Sequence, residues 1–425
     1  MTYIEIIKNI EERVGKFRSY GNIRIKKFLE AFDSPENNFK VIHVAGTNGK
    51  GSTSYFLKEI LKTDYKVGLY TSPHLFSYRD RIVINDEKIS EEDFIAISTE
   101  ILNKEKLIIK DFGPLNNFEF LTAIALIYFA SKKIDLGILE VGMGGRADST
   151  NIIEPKNKIL SLITSISYDH TKYLGNTLGE IAYQKAGIIT EKGRIVTSNE
   201  KQEILKVLED EAREKCAKIY YTKNLDLEIL KSDLGGSYFS FKLDGRNFSC
   251  QISQLGLYEV ENSLLALYGL YILNKRGIIN LSLDEAINRI RYAKFRGRME
   301  IAKSDPLIIL DGAHNLDGME KLLKSLKNFS FGRLYIISSI LGEKDHEKMI
   351  GLMAKKADKL IFVSLEDKKN EDLEILEREG REFSQNILKF EGLKEAMNFA
   401  REDAKKEDLI LITGSLHLLE DFYRL

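Results

Sequence analysis

Apolar and polar positions follow two rhythms along this chain. Short runs rich in branched residues, at 40–45, 66–71, 135–141, 159–167, 193–198 and 218–222, have the length and composition of buried strands. Between them, 51–62, 90–103, 117–132, 177–186 and 201–217 carry apolar residues at helical spacing. Strand and helix taking turns in this way predicts β-α-β units and a mostly parallel sheet covered on both faces. Thr177-Leu-Gly-Glu180 and Ser282-Leu-Asp-Glu285 have the form of capping boxes, which start helices. The stretch 236–255 instead repeats every second residue on either side of Asp244-Gly245, which predicts a hairpin.

A second alternating series begins near 306. Its strands are expected at 306–311, 333–340, 358–364, 386–390 and 408–413, and its helices at 317–328, 345–357, 371–383, 393–406 and 415–423. That is a separate, smaller, Rossmann-like α/β domain. The join is expected near Ala293–Gly297, giving domains 1–294 and 298–425. A cleft between two such domains is a common place for a ligand.

Composition narrows the class. A chain of 425 residues exceeds one ordinary core, which agrees with two domains. The 63 basic residues are balanced by 64 acidic ones, which argues against nucleic acid as a partner. Lysine-rich 201–215 is a solvated helix face rather than a tail. No run reaches the roughly 18 apolar residues of a membrane span. The N-terminus, MTYIEIIKNIEERVGKFRSYG, alternates charge with apolar residues at helical spacing and is not a secretory signal. Cys216 and Cys250 are too few for a disulfide framework and are not spaced for zinc. A cytoplasmic protein without membrane contact is the expectation.

The chemistry begins at VIHVAGTNGKGSTSYFLKEIL, 41–61. A β-branched strand runs into Gly46-Thr47-Asn48-Gly49-Lys50-Gly51-Ser52 and then into a helix. Such a loop lets backbone N–H groups converge on an anion, and the helix N-terminus adds partial positive charge. Lys50 can reach terminal phosphates, and Ser52 or Thr53 can touch magnesium. The strict G-x-x-x-x-G-K-[ST] pattern is not met, since Val44 holds its first glycine position and Gly51 follows the lysine. The first domain is therefore P-loop-type, with the 236–255 hairpin as a small insertion.

A nucleotide enzyme needs oxygen ligands for its metal. Ser72, in LYTSPHL, ends a strand. Glu140 stands in an otherwise apolar strand, where a lone carboxylate is costly unless paired or metal-bound; a salt bridge to Arg146 is the plain alternative. The glycines at 142, 144 and 145 permit close backbone approach to a ligand. Strand 159–167 is expected to end in Tyr168-Asp169-His170. Lys185 sits late in a short helix among apolar residues, an odd place for it; a surface helix lysine or a charge partner for the helix C-terminus is the plain alternative.

These residues resemble a family. AGTNGKGS (45–52), TSPH (71–74), LEVGMGGRADSTN (139–151), DH (169–170), KAGI (185–188), FRGRME (295–300) and LDGAHN (310–315) resemble, in order, the motifs of folylpolyglutamate synthase and dihydrofolate synthase in the Mur ligase superfamily. LITGSLHLLEDF, 411–422, is similar to that family's last strand and helix. The resemblance implies that Asn48, Gly49, Lys50, Gly51 and Ser52 cradle ATP phosphates, with Asn262, Arg298 and Asp311 as further nucleotide contacts. It implies two magnesium ions: one on Ser72 and Glu140, the other on His170 and Lys185, with Lys185 carbamylated. The pterin of the acceptor would lie over Phe118, Glu119 and Thr122 and the loop of Ala147, Asp148 and Ser149. YGNIRIKKFLEAF flanks it. Only 45 residues precede Gly46, whereas cell-wall ligases of the superfamily carry a further domain there, which argues against a UDP-muramyl substrate.

The implied reaction is ATP-dependent joining of L-glutamate to dihydropteroate, to reduced folates, or to both, through an acyl phosphate and with no covalent enzyme intermediate. His314 or solvent would take the amine proton, and domain closure would bring Arg298 and Asp311 onto the nucleotide. A bifunctional, monomeric enzyme is the expectation. A monofunctional folylpolyglutamate synthase is the alternative, and a P-loop kinase or nucleotide switch a more distant one.

Overall fold

The computed structural model describes residues 1–13, 21–340, 346–365 and 371–425. Residues 14–19 of the N-terminal run, Tyr20 of the YGNIRIKKFLEAF stretch and the first residue of the expected 345–357 helix lie outside them. The chain forms two compact units, Met1–Asp226 with Glu261–Ile290, and Leu227–Val260 with Arg291–Leu425.

The first unit is built on eight strands: β1 (Lys40–Ala45), β2 (Val67–Tyr70), β3 (Ile82–Ile84), β4 (Glu87–Lys88), β5 (Leu136–Glu140), β6 (Lys158–Ile163), β7 (Arg194–Thr197) and β8 (Lys218–Tyr221). Their order is β4-β3-β2-β5-β1-β6-β7-β8. From β2 to β8 every neighbouring pair is parallel, and β3 and β4 add an antiparallel edge. All residues of β5 and β6 are buried, as a sheet covered on both faces requires. Helices Glu91–Glu105 and Asn117–Ser131 cover one face, where Phe94, Phe120, Ile124, Phe129, Tyr70 and Phe28 share a core. Helices Leu178–Ala186 and Gln202–Glu214 cover the other, where Ile181, Ala182, Ile204 and Leu208 meet Ala45, Ile163 and Ile195.

The second unit holds β9 (Glu228–Asp233), β10 (Gly236–Leu243) and β11 (Arg246–Ile252) as an antiparallel sheet. It also holds β12 (Glu300–Ser304), β13 (Leu307–Leu310), β14 (Leu334–Ser338), β15 (Lys359–Val363), β16 (Ile387–Phe390) and β17 (Leu409–Thr413), in the order β12-β13-β17-β14-β15-β16. Only β12 runs antiparallel within this second set. Asp244 and Gly245 take φ of +48° and +78°, the left-handed pair a two-residue hairpin turn needs. The hairpin expected as an insertion in the first domain thus lies in the second compact unit. Both expected capping boxes close: Glu180 N donates to Thr177 Oγ1 at 3.1 Å, and Glu285 N to Ser282 Oγ at 3.2 Å.

Four strands escaped the periodicity. β3 and β4 are three and two residues long, too short for a pattern. β9 and β12 are mostly exposed edges that carry little apolar signal. The expected 159–167 strand stops at Ile163. Residues 164–167 leave the sheet and run beside the loop after β1, with Thr164 N donating to Ala45 O at 2.9 Å and Thr47 N to Ser165 O at 2.8 Å. His170 therefore does not end a strand. It takes φ +50° and caps the single helical turn Thr171–Leu174.

Beneath this sheet Arg24 pairs with Glu119 at 2.6 Å, each side chain 1% exposed. Removing one partner of such a pair strands a buried charge, whereas replacing both by apolar groups does not. Arg24→Leu is expected to lower unfolding stability by about 3–5 kcal/mol in urea titrations, and adding Glu119→Leu to recover most of it. Equal losses in single and double variants would show that the ion pair is not what that position requires.

Candidate functional site

The site forms where the carboxyl ends of β2, β5, β1 and β6 lie side by side. β1 releases the chain at Gly46, and helix Lys50–Leu61 begins four residues later. Gly49 caps that helix at φ +87°, and a Cβ there would stand 2.2 Å from Asn262 Oδ1. Glycine is thus required twice over, by backbone conformation and by the close approach of Asn262. The loop is pinned to the segment after β6. Ser167 N donates to Thr47 Oγ1 at 3.1 Å, and Asn199, at the end of β7, holds that segment by donating to Thr164 O and accepting from Ile166 N, each at 2.8 Å.

Two lysine side chains converge on one loop carbonyl. Lys50 Nζ donates to Gly46 O at 3.2 Å and to Thr47 O at 3.0 Å, and Lys185 Nζ donates to Gly46 O at 2.6 Å. Lys185 is 3% exposed. Burial first, and the Lys50 charge second, pull its pKa down to about 7, against the opposing pull of Asp169 and Asp148. A substantial share of this amine is therefore neutral near pH 7.

Glu140, the last residue of β5, accepts from Ser72 N at 3.0 Å, and its carboxylate oxygens lie 3.7 and 3.8 Å from where a Cβ on Gly51 would be. The alternative pairing with Arg146 does not form, because Arg146 binds Glu211 at 2.5 Å instead. Ser72 and Glu140 thus meet beside Gly51, while Asn262 meets Gly49 on the same loop. His170 has a different placement. Its side chain is 47% exposed and its Nε2 is 4.0 Å from Asp169 Oδ1, the carboxylate whose charge also acts on Lys185. Among the described residues no three His, Cys, Asp or Glu side chains form a metal-holding group. Hydroxyl and carboxylate oxygens such as those of Ser72 and Glu140 do suit magnesium, which takes one or two carboxylates and fills its sphere with phosphate and water oxygens.

The residues expected at the acceptor separate by burial. Phe118 is half-buried, with Gly142 beneath its ring edge and Tyr70 5.9 Å away between centroids. Glu119 is committed to Arg24, and Thr122 is buried, its hydroxyl donating to Phe118 O at 2.8 Å. Ala147 is exposed, whereas Asp148 and Ser149 are buried. Asp148 accepts from Met143 N at 3.0 Å and from Thr150 N at 2.9 Å, so it closes the loop on itself; burial pushes its pKa up.

In the second unit Asp311 is likewise fully engaged. It accepts from Tyr258 Oη at 2.6 Å, Met299 N at 2.9 Å and Ala313 N at 2.8 Å, and burial raises its pKa while Arg298 opposes. His314 Nδ1 lies 2.8 Å from Gly312 O. A carbonyl only accepts, so Nδ1 carries a proton. Asn199, Tyr258 and His43 were not singled out from sequence. Asn199 could have been found as a polar strand end in the sheet of the phosphate loop, and His43 as the polar member of VIHVA.

The fold and this loop define a nucleotide-dependent α/β protein. The Mur ligase middle-domain model matches residues 44–270, and the model of the Mur ligase glutamate ligase domain matches 297–416. The dihydrofolate synthase/folylpolyglutamate synthase of Bacillus subtilis (strain 168) is 35% identical over 412 residues, covering 94% of this chain and 93% of its own. Mycobacterium tuberculosis folylpolyglutamate synthase complexed with ADP superposes with a TM-score of 0.90 at 27% identity, over 99% of this chain and 97% of that one. E. coli FolC in complex with DHPP and ADP gives 0.88 at 27%, over 100% and 97%. The chain belongs to the Mur ligase family, among its dihydrofolate synthases and folylpolyglutamate synthases. It is an ATP-dependent ligase that forms amide bonds. No helix among the described residues is long and apolar enough to cross a membrane.

Gly49→Ala imposes both a left-handed alanine and the contact with Asn262. ADP binding, measured by calorimetry, is expected to weaken about tenfold or more, since left-handed backbone alone costs about 1–2 kcal/mol. Adding Asn262→Ala removes the contact but not the strain, so it should restore only part of the affinity. Full affinity in Gly49→Ala would dissociate the loop from nucleotide binding.

Proposed function

We propose that the chain joins L-glutamate to the carboxylate of dihydropteroate and of reduced folates, as a bifunctional, monomeric cytoplasmic enzyme. The observation that carries the site is the convergence of Lys50 and Lys185 on Gly46 O beside the Ser72–Glu140 contact. The names of the relatives supply the acceptor class. In this reading Asn48, Gly49, Lys50, Gly51 and Ser52 bind the ATP phosphates, and Asn262, Arg298 and Asp311 complete the nucleotide site. Phe118, Glu119, Thr122, Ala147, Asp148 and Ser149 belong to the acceptor side, with Phe118 and Ala147 offering surface and the others supporting it.

The acceptor carboxylate oxygen attacks the γ-phosphorus of ATP and ADP departs. The glutamate amine then attacks the acyl carbon, phosphate departs, and the amine proton passes to a base. His314 is the candidate base. Lys50 neutralises charge on the transferring group, a task of positioning and electrostatics that needs no protein nucleophile. Magnesium held by Ser72 and Glu140, and a second ion at His170 and Lys185, would supply further charge neutralisation. For the second ion Lys185 must first become an oxygen donor. Its neutral fraction near pH 7 is the form that adds carbon dioxide to give a carbamate.

Lys50→Ala and Glu140→Ala are expected to abolish acceptor-dependent ADP formation while circular dichroism and unfolding midpoints stay near the parent's. Parent-like turnover in either refutes the assignment. Lys185→Ala should lose activity and regain part of it with added short carboxylates. In the parent, activity at fixed bicarbonate should rise as pH increases through about 7, because deprotonation of Lys185 precedes carbamate formation. A flat profile there, with no dependence on bicarbonate, removes the carbamate. Dihydropteroate and tetrahydrofolate, tried separately with glutamate, should each give amide product and free phosphate. Amide from tetrahydrofolate alone makes the enzyme monofunctional, and a phosphorylated end product makes it a kinase.

A further inference from the structure

Residue 43 lies inside β1, flanked by Ile42 and Val44, both fully buried, yet it is a histidine with no exposed surface. Its Nε2 is 2.8 Å from Thr150 Oγ1, which is 2.6 Å from Asp148 Oδ1. The protons can be assigned. Asp148 already accepts from the Met143 and Thr150 amides, so it accepts from the hydroxyl too. Thr150 has one hydroxyl proton and gives it to the carboxylate. His43 must then donate Nε2–H to the Thr150 oxygen, which leaves Nδ1 bare. Nδ1 is buried without a hydrogen-bond partner among the described residues. Burial and the Lys158 charge hold the ring neutral, in agreement with this assignment.

A bare buried nitrogen is a cost to folding that a leucine or phenylalanine would not carry. In return the histidine supplies a hydrogen-bonded line from the strand that ends in the phosphate loop to the carboxylate that closes the loop after β5. That second loop carries Gly142, against which Phe118 packs, as well as Ala147 and Ser149.

We infer that His43 is a positioning residue for the acceptor. Through Thr150 it fixes Asp148, and with it the 142–150 loop on which the acceptor's ring system rests. The inference depends on the acceptor reading above, and it assigns His43 no contact with substrate.

The test uses the full-length protein with Thr150→Val, which removes the hydroxyl at nearly constant shape, and Thr150→Ser, which keeps it. His43→Met and His43→Gln form a parallel pair. Thr150→Val and His43→Met should raise KM for dihydropteroate or tetrahydrofolate about tenfold or more, while KM for ATP shifts less than about twofold. The Met143 and Thr150 amides should exchange hydrogen faster in both. Thr150→Ser and His43→Gln should recover the acceptor KM relative to these. Unchanged acceptor KM and unchanged exchange in Thr150→Val overturns the inference. Equal rises in both KM values with a matching loss of stability also overturns it, by assigning the chain to packing alone. If the parent turns over neither acceptor, the acceptor reading fails, and the exchange rates alone decide whether His43 holds the loop.

Discussion

The carbonyl oxygen of Gly46 accepts hydrogen bonds from two lysines, and much of the first unit is arranged around that fact. Two unit charges 4 Å apart at a protein surface repel by about 4 kcal/mol. The structure meets this repulsion by burying Lys185, so that its amine gives up a proton near neutrality, while Lys50 stays on the half-buried rim of the loop. A polyanion bound at the loop would ease the same repulsion from the other side. The site thus has an electrostatic preference before any substrate is named.

Topology explains why these groups meet. β1 sits between β5 and β6, so the chain leaves it toward β2 on one side and later crosses to β6 on the other. Ligands of open parallel sheets gather at such reversals, outside the carboxyl ends of the strands. Ser72 follows β2, Glu140 ends β5, Gly46 follows β1, and the Thr164–Ser167 segment follows β6. Each neighbour contributes one part: an oxygen pair, the loop, and the backbone that pins it. The 142–150 loop leaves β5 at the same strand ends, which is how a histidine inside β1 can reach it through Thr150.

Much of this was legible in the letters. The long buried strands announced themselves by β-branched runs, and Thr177 and Ser282 by their capping partners. The order strand, glycine loop, lysine, helix reads directly from 40–61 and is the order the structure has, despite Val44 in place of glycine. What escaped was of two physical kinds. Short or exposed strands such as β4 and β12 have no hydrophobic period to read. Side chains satisfied at long range have no local signature: Arg146 looked available to Glu140, but Glu211, distant in sequence, holds it. Likewise Glu119, expected at the acceptor, is taken up by Arg24, and Ile163 ends a strand that composition extended to 167 because residues 164–165 bond the chain around the loop after β1 instead.

The central claim is that these strand ends hold a triphosphate so that a carboxylate, rather than water, takes its terminal phosphoryl group. Oxygen tracing tests it most directly. With ¹⁸O in the acceptor carboxylate, ATP unlabelled and glutamate present, the released phosphate should carry one labelled oxygen for each amide formed. Amide formed with wholly unlabelled phosphate would contradict the account.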